Sequence, residues 1–140
     1  NVSQLAQQID TSRATVMNYI KYLADARLLN IMYYPDMEFP KKPARIMMHN
    51  PNLMYAIYPI EVDRQELMET FFVNTMWKDH LVNEGPKPQT YIIDGKRKFK
   101  VCDALATGKP RFNKDTIYAR YNTEIGYDNQ IPLWLFGFLY

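Results

Sequence analysis

Residues 10–23, DTSRATVMNYIKYL, carry side chains suited to contacting nucleic acid on one side of a predicted helix. Apolar residues at helical spacing predict its buried side: Val16, Tyr19, Ile20 and Leu23. A rotation of about 100° per residue then places Ala14, Asn18 and Lys21 on the opposite side. Arg13 stands beside the helix N-terminus. Because Asn can pair with adenine and Arg with guanine in the major groove, this side is typical of a recognition helix.

A basic loop between two predicted strands follows this helix. Such an arrangement predicts a wing, in which Lys41, Lys42 and Arg45 would contact phosphates. Residues 1–46 hold six Lys or Arg and four Asp or Glu, a net charge of +2. Dedicated DNA-binding proteins usually concentrate more positive charge, because phosphate neutralisation supplies much of their affinity. Two interpretations therefore stay open: direct contact with DNA, and a winged helix used for packing or protein contact.

A second basic segment, residues 96–114, has seven Lys or Arg against Asp103 alone, a net charge of +6. On a strand, Lys96, Lys98 and Lys100 would share one face. A solvated face that discourages edge pairing fits this pattern. A surface that contacts a nucleic-acid backbone also fits it.

The elements that position these side chains follow from the apolar pattern and the turn residues. Helices are predicted at residues 2–9, 13–26, 52–57 and 64–83, and from Pro132 onward. Strands are predicted at residues 30–34, 46–48 and 116–121, and in two runs around the hairpin-turn signal Asp94-Gly95. This order predicts an α+β fold with a winged helix-turn-helix at residues 1–60 and a second domain at residues 61–140.

Composition sets the class of protein. The chain has 140 residues, of which 47% are hydrophobic, and a net charge of +2, so it can bury a core. A single cysteine, Cys102, excludes an intramolecular disulfide framework and favours a cytoplasmic setting. The longest apolar run is too short to span a bilayer, so no membrane partner is expected. His49 and His80 are isolated, and no Cys/His spacing predicts zinc. Because the chain starts inside a helix signal without Met, we expect it to be the C-terminal part of a longer protein.

Five segments together resemble one protein family. They are NVSQLAQQIDTSRATVMNYIKYLADARLL, KKPARIMMHNPNLMYAI, ELMETFFVNTM, YIIDGKRKF and IPLWLFGFLY, which cover almost the whole chain. The last, rich in aromatic residues, is the most specific. They resemble the C-terminal domain of unknown function that follows the ATPase module in bacterial AAA+ and archaeal-type ATPases.

The resemblance implies a winged helix followed by a small α/β subdomain similar to restriction-endonuclease-like nucleases. In such nucleases a helix glutamate, a strand aspartate and an E-x-K pair hold a divalent metal that activates water. Glu69 matches the helix glutamate. Thr90 and Lys100 stand where two metal-binding carboxylates are expected, so the subdomain is predicted to be degenerate. Asp94 and Asp103 are the remaining acidic candidates, although Asp94-Gly95 is better explained as a turn.

We therefore expect a non-catalytic accessory region of an AAA+-type ATPase, in which any DNA contacts come from Arg13, Asn18, Lys21, Lys41, Lys42 and Arg45. The expected partners are the protein's own N-terminal ATPase module, duplex DNA and further copies of the chain. The chain has no G-x-x-x-x-G-K-[ST] loop, so ATP and Mg²⁺ are expected in the ATPase module and no cofactor in this region. The alternative is a metal-dependent nuclease that uses Glu69, Asp94 and Asp103.

Overall fold

The computed structural model describes residues 2–58, 60–106 and 112–139, which form a mixed α and β structure with two sheets. This confirms the α+β class. The first elements are α1 (Val2–Gln8), α2 (Arg13–Asp25), β1 (Leu29–Met32), β2 (Arg45–Met48) and α3 (Pro51–Ile57). Ser12 caps α2, because its Oγ accepts a hydrogen bond from the Thr15 N–H at 3.1 Å. We call α1, α2, β1 and β2 the N-terminal unit; β1 and β2 pair antiparallel in it.

The rest of the described chain combines one long helix with a larger sheet. Its elements are α4 (Arg64–Trp77), β3 (Val82–Glu84), β4 (Thr90–Ile93), β5 (Arg97–Asp103), β6 (Thr116–Tyr121), β7 (Gln130–Pro132) and a C-terminal 3-10 helix (Leu133–Leu139). The strands lie in the order β3-β4-β5-β6-β7; β3 to β5 are antiparallel, whereas β5, β6 and β7 are parallel. The predicted turn at Asp94-Gly95 does join β4 to β5, and both residues have positive φ.

Buried apolar side chains in the described ranges form two clusters. The larger one lies between α4 and the five-stranded sheet and includes Phe72, whose ring packs against Tyr91, Phe99 and Phe136. The smaller one holds α1 against α2 through Ala6, Val16, Met17 and Ile20. Met32 and Met47, from β1 and β2, belong to the larger cluster. Packing is therefore continuous across the domain boundary predicted at residue 60.

The prediction for the end of α4 is wrong by about two turns. α4 ends at Trp77, and residues 82–84 form β3 instead of continuing the helix. The apolar pair Leu81 and Val82 fits a helix as well as a strand. Pairing decides between them, because β3 aligns with β4 and Asp94 Oδ1 accepts a hydrogen bond from the Leu81 N–H at 3.0 Å.

The buried side of α2 also differs from the prediction. Val16 and Ile20 are buried as expected, together with Met17, but Tyr19 is 55% exposed and Leu23 is 43% exposed. Periodicity gives the width of an apolar stripe, whereas the partner helix decides which part of that stripe is covered. Here α1 and β1 cover the Met17 side.

The C-terminal segment forms β7 and a 3-10 helix, where an α-helix from Pro132 was predicted. Leu133 and Phe136 are buried against α4 and the sheet, whereas Trp134 and Phe138 are largely exposed. The segment is thus packed along one side only. No helix in the described ranges has the length and apolar character needed to cross a bilayer.

Candidate nucleic-acid interface and the Glu69 cluster

The outer side of α2 presents polar and small side chains. Arg13, Ala14 and Asn18 are exposed over its first two turns. Lys21 is exposed one turn further on, and its Nζ bonds Asp25 Oδ2 at 2.8 Å. This intrahelical pair leaves Lys21 exposed, but the Asp25 carboxylate offsets part of its charge. Arg13, Ala14 and Asn18 thus have no carboxylate partner within the described chain, unlike Lys21.

Lys41 and Lys42 are exposed in the loop that joins β1 to β2. Between this loop and the helices runs an open groove of about 790 Å³, lined by Val2, Ser3, Gln4, Leu5, Gln8, Arg13, Ile20, Lys42, Pro43, Ala44, Arg45 and Ile46. Three of these residues are cations and none is acidic. The sign of the groove therefore favours an anionic partner.

Arg45 is bound into the interior. Its Nη1 donates to the Glu69 carboxylate and, at 3.2 Å, to the Tyr91 hydroxyl, while the Tyr91 O–H donates to Glu69. Gln65 Nε2 donates to the other carboxylate oxygen at 3.0 Å. We call Arg45, Gln65, Glu69, Glu84 and Tyr91 the Glu69 cluster. Because its guanidinium is engaged there, Arg45 is removed from the predicted phosphate contacts.

Burial dominates the electrostatics of the Glu69 cluster. Glu69 is 3% exposed, and Glu84, on β3, is buried beside it. Burial raises the pKa of the Glu84 carboxyl, Arg45 opposes that shift, and the Glu69 charge adds to it. Burial also raises the pKa of the Tyr91 hydroxyl, and Glu69 adds to this shift. Within the described chain, Glu84 Oε2 has no hydrogen-bond partner. The cluster thus holds two buried carboxylates, with the Arg45 guanidinium beside them as a counter-ion.

The carboxylates proposed for a nuclease site do not converge. Asp94 lies in the β4–β5 turn and Asp103 ends β5, so the strand holds them about 20 Å apart. Asp94 accepts from the Leu81 N–H and pairs with His80, whereas Asp103 accepts from Asn122 and from the Leu105 N–H. These two acids cannot serve the same ion. In the described ranges no group of three or more His, Cys, Asp or Glu is arranged to hold a metal.

Thr90 and Lys100, the two positions that replace carboxylates, are direct partners across β4 and β5. Their neighbour Tyr91 points toward α4, where it meets Glu69. Side chains alternate along a strand, so Thr90 and Lys100 point to the other face of the sheet. Lys98 shares that face, as predicted, whereas Lys96 lies in the β4–β5 turn and not on the strand. Lys109 and Arg111 of the same basic segment lie outside the described residues.

Sequence reasoning did not find the Glu69 cluster as a unit. Its members come from β2, α4, β3 and β4, and Arg45 and Glu69 are separated by 24 positions. One signal was present: Glu69 stands between Met68 and Phe71 on a helix that is apolar on more than one side. A charged residue on such a helix indicates a buried partner of opposite charge.

No protein-family model, curated protein or solved structure matches the chain.

Proposed function

We propose that the chain is a non-catalytic interaction region of an AAA+-type ATP-binding protein and that its N-terminal unit contacts duplex DNA as a winged helix. The observation that carries this proposal is the outer side of α2. Apolar residues anchor the helix from within, and Arg13, Ala14 and Asn18 point outward next to a cationic groove. ATP and Mg²⁺ would bind in the ATPase module, and one unpaired thiol fits a cytoplasmic protein.

The shape of α2 supports insertion into the major groove. Thirteen residues give a helix of about 20 Å, and the groove of B-DNA is about 12 Å wide. Ala14 leaves room for close approach of the first turn. Asn18, one turn further on, has an amide able to pair with the N6 and N7 edge of adenine.

Phosphate contacts would come from Arg13, Lys41 and Lys42. Three such contacts give a slope of about −3 in a plot of log affinity against log salt concentration. Binding of this kind is weak at physiological salt, with dissociation constants of roughly 10⁻⁴ to 10⁻⁶ M for the part that is independent of DNA sequence. Several copies held together by an ATPase module would raise the effective affinity through multivalency.

The test is fluorescence anisotropy with a labelled duplex over a salt series. We expect R13A and the double variant K41A/K42A to weaken binding and to flatten the salt slope by about one per removed cation. K96A is the matched control, because Lys96 is an exposed lysine in the β4–β5 turn. Loss of binding in K96A equal to that in R13A would move the interface to the basic segment 96–114. Absence of binding by the unaltered chain at low salt would remove the DNA contact.

A second candidate function is protein contact through the same helix. Tyr19, Tyr22 and Leu23 are exposed on α2, and aromatic residues are enriched in protein interfaces. Self-association measured by sedimentation at several protein concentrations tests this candidate. A Y19S/Y22S variant should sediment as a smaller species than the unaltered chain if these side chains form the contact. Unchanged sedimentation in both samples would leave the DNA interface as the use of α2.

A further inference from the structure

A polar groove lies at the other end of α2 from Arg13, between β1 and the C-terminal part of α4. It encloses about 640 Å³ and is lined by Ala24, Asp25, Arg27, Leu29, Asn30, Ile31, His49, Asn74, Trp77 and Lys78. We call it the His49 groove. Twelve residues of helix, about 18 Å, separate Arg13 from Asp25, so this groove is distinct from the proposed DNA interface.

Donors predominate among the polar side chains of the lining. Arg27 is exposed and Trp77 is half-buried, and neither side chain makes a hydrogen bond or ion pair with other described residues. Asp25, the acid of the lining, is bound to Lys21 at 2.8 Å. Lys78 adds a second cation from α4. Arginine, indole N–H and lysine can donate but cannot accept. Asn74 Oδ1 is an acceptor in the same lining, but donors and cations predominate, which favours an anionic ligand rich in acceptors.

His49 is held at the groove in a fixed orientation. Its Nδ1 lies 2.9 Å from Oδ1 of Asn30, whose side chain is anchored in the interior at 2% residue exposure. Its backbone carbonyl accepts from Asn30 Nδ2 at 3.4 Å and from Asn74 Nδ2 at 3.0 Å. The amide oxygen can only accept, so the hydrogen on the ring sits on Nδ1. Nε2 is thereby left to bind a ligand, as an acceptor when neutral and as a donor when protonated.

Arg27 occupies a backbone position that glycine fills more easily. Its φ is 57°, and the Arg27 and Leu28 N–H groups close the end of α2 on Ala24 O and Leu23 O, both at 2.9 Å. A left-handed conformation costs an L residue about 1 to 2 kcal/mol. The chain nevertheless has arginine at this position, and Arg27 lines the groove. This position therefore adds independent support for a function of that charge.

We propose that the His49 groove binds a phosphate group, with Arg27, Lys78 and the Trp77 N–H as donors and His49 Nε2 as a donor once protonated. The tetrahedral dianion presents acceptors on every side, which matches a lining of donors. Burial, and after it the charge of Arg27, lower the pKa of His49 in the empty groove. Asp25, Arg27 and Lys78 are the charged groups that face it. A bound phosphate would offset the two cations and favour imidazolium, so phosphate binding should raise the pKa of His49.

The experiment is an NMR titration of the histidine ring signals with inorganic phosphate, at constant ionic strength maintained with sodium chloride. We expect the His49 signals to shift and the pKa of His49 to rise, whereas phosphate should not shift the ring signals of His80, which pairs with Asp94 at the sheet. R27Q should weaken phosphate binding by roughly tenfold or more, since it removes a charge-assisted hydrogen bond. R97Q, the same substitution at an exposed arginine of β5 outside both grooves, should leave the response of His49 to phosphate unchanged.

The same variants identify the source of the phosphate and separate this inference from the proposed DNA contact. If R27Q weakens inorganic phosphate binding but not duplex binding, the ligand is a free phosphate or phosphorylated small molecule. If R27Q weakens both, the groove takes a phosphate of the nucleic-acid backbone. An absence of a His49 response to phosphate, an equal response of His80, or full binding by R27Q would overturn the proposal. None of these outcomes depends on whether R13A reduces duplex binding.

Discussion

Replacing Arg45 with alanine should destabilise the protein far more than removing a neighbouring surface cation. The substitution leaves the Glu69 carboxylate, whose side chain is 4% exposed, without its counter-ion and with the buried Glu84 beside it. Removing one partner of a buried pair typically lowers the free energy of unfolding by about 3 to 5 kcal/mol. The Arg45 side chain is 28% exposed, which favours the lower end of that range. We expect a loss of about 3 kcal/mol at neutral pH.

Urea denaturation followed by circular dichroism measures this loss. K42A is the matched control, because Lys42 is exposed three positions away and its removal should change the free energy of unfolding by at most about 0.5 kcal/mol. The double variant R45M/E69M removes both charges and fills the space with apolar atoms. Such replacements are often neutral or stabilising, so the double variant should be more stable than R45A.

Two outcomes would contradict this role of the ion pair. If R45A loses less than about 1 kcal/mol, or if R45M/E69M is as unstable as R45A, the ion pair does not hold the N-terminal unit to α4. Retention of Arg45 in an E69Q variant offers a further check. The glutamine side chain at position 69 can still accept hydrogen bonds from Tyr91 and Arg45, so the E69Q variant should lose less stability than R45A.

Two further predictions concern the sheet. G85A should destabilise the protein by about 1 to 3 kcal/mol in thermal unfolding, because the added Cβ would lie 2.7 Å from the backbone oxygen of Thr90. G95A is the control: Gly95 has φ 66° and no atom within 4 Å of an added Cβ, so this variant should lose only about 1 kcal/mol. Equal losses in the two variants would contradict the steric reason. Folding raises the pKa of Glu84, so the free energy of unfolding should fall as pH rises from the ordinary glutamate pKa through the raised one. In E84Q this fall should be absent when unfolding is measured over a pH series. An unchanged pH profile would show that Glu84 does not titrate in this range.

Local signals in the sequence predicted several elements of the fold. Caps and turn residues located the starts of α2 and α4 and the β4–β5 turn, because each signal acts on atoms a few positions away. The errors arose where distant pairing decides. β3 forms because β4 is beside it, and Tyr19 is exposed because α1 and β1 cover the other side of α2.

In the candidate sites, too, local features could be predicted from the sequence and long-range contacts could not. The exposed polar side of α2 could be predicted from spacing, as Ala14 and Asn18 show. Arg45, by contrast, was grouped with Lys41 and Lys42 by its place in a basic loop, and nothing local distinguishes it from them. Its distinct environment comes from Glu69, which lies on another element. His49 was taken as isolated for the same reason, since Asn30 and Asn74 reach it only in the folded chain.

Arg45 also ties the proposed DNA interface to the rest of the molecule. It lines the cationic groove beside α2 while its guanidinium holds Glu69 on α4. The smaller cluster under α2 has four buried residues, too few to hold the N-terminal unit without the contribution of Met32 and Met47 to the larger core. A phosphate that drew Arg45 toward the groove would leave two buried carboxylates less well neutralised, which is energetically unfavourable. The groove should therefore bind phosphate through Arg13 and Lys42, whereas Arg45, whose charge Glu69 balances, should act as a structural tie to α4 and not as a phosphate ligand.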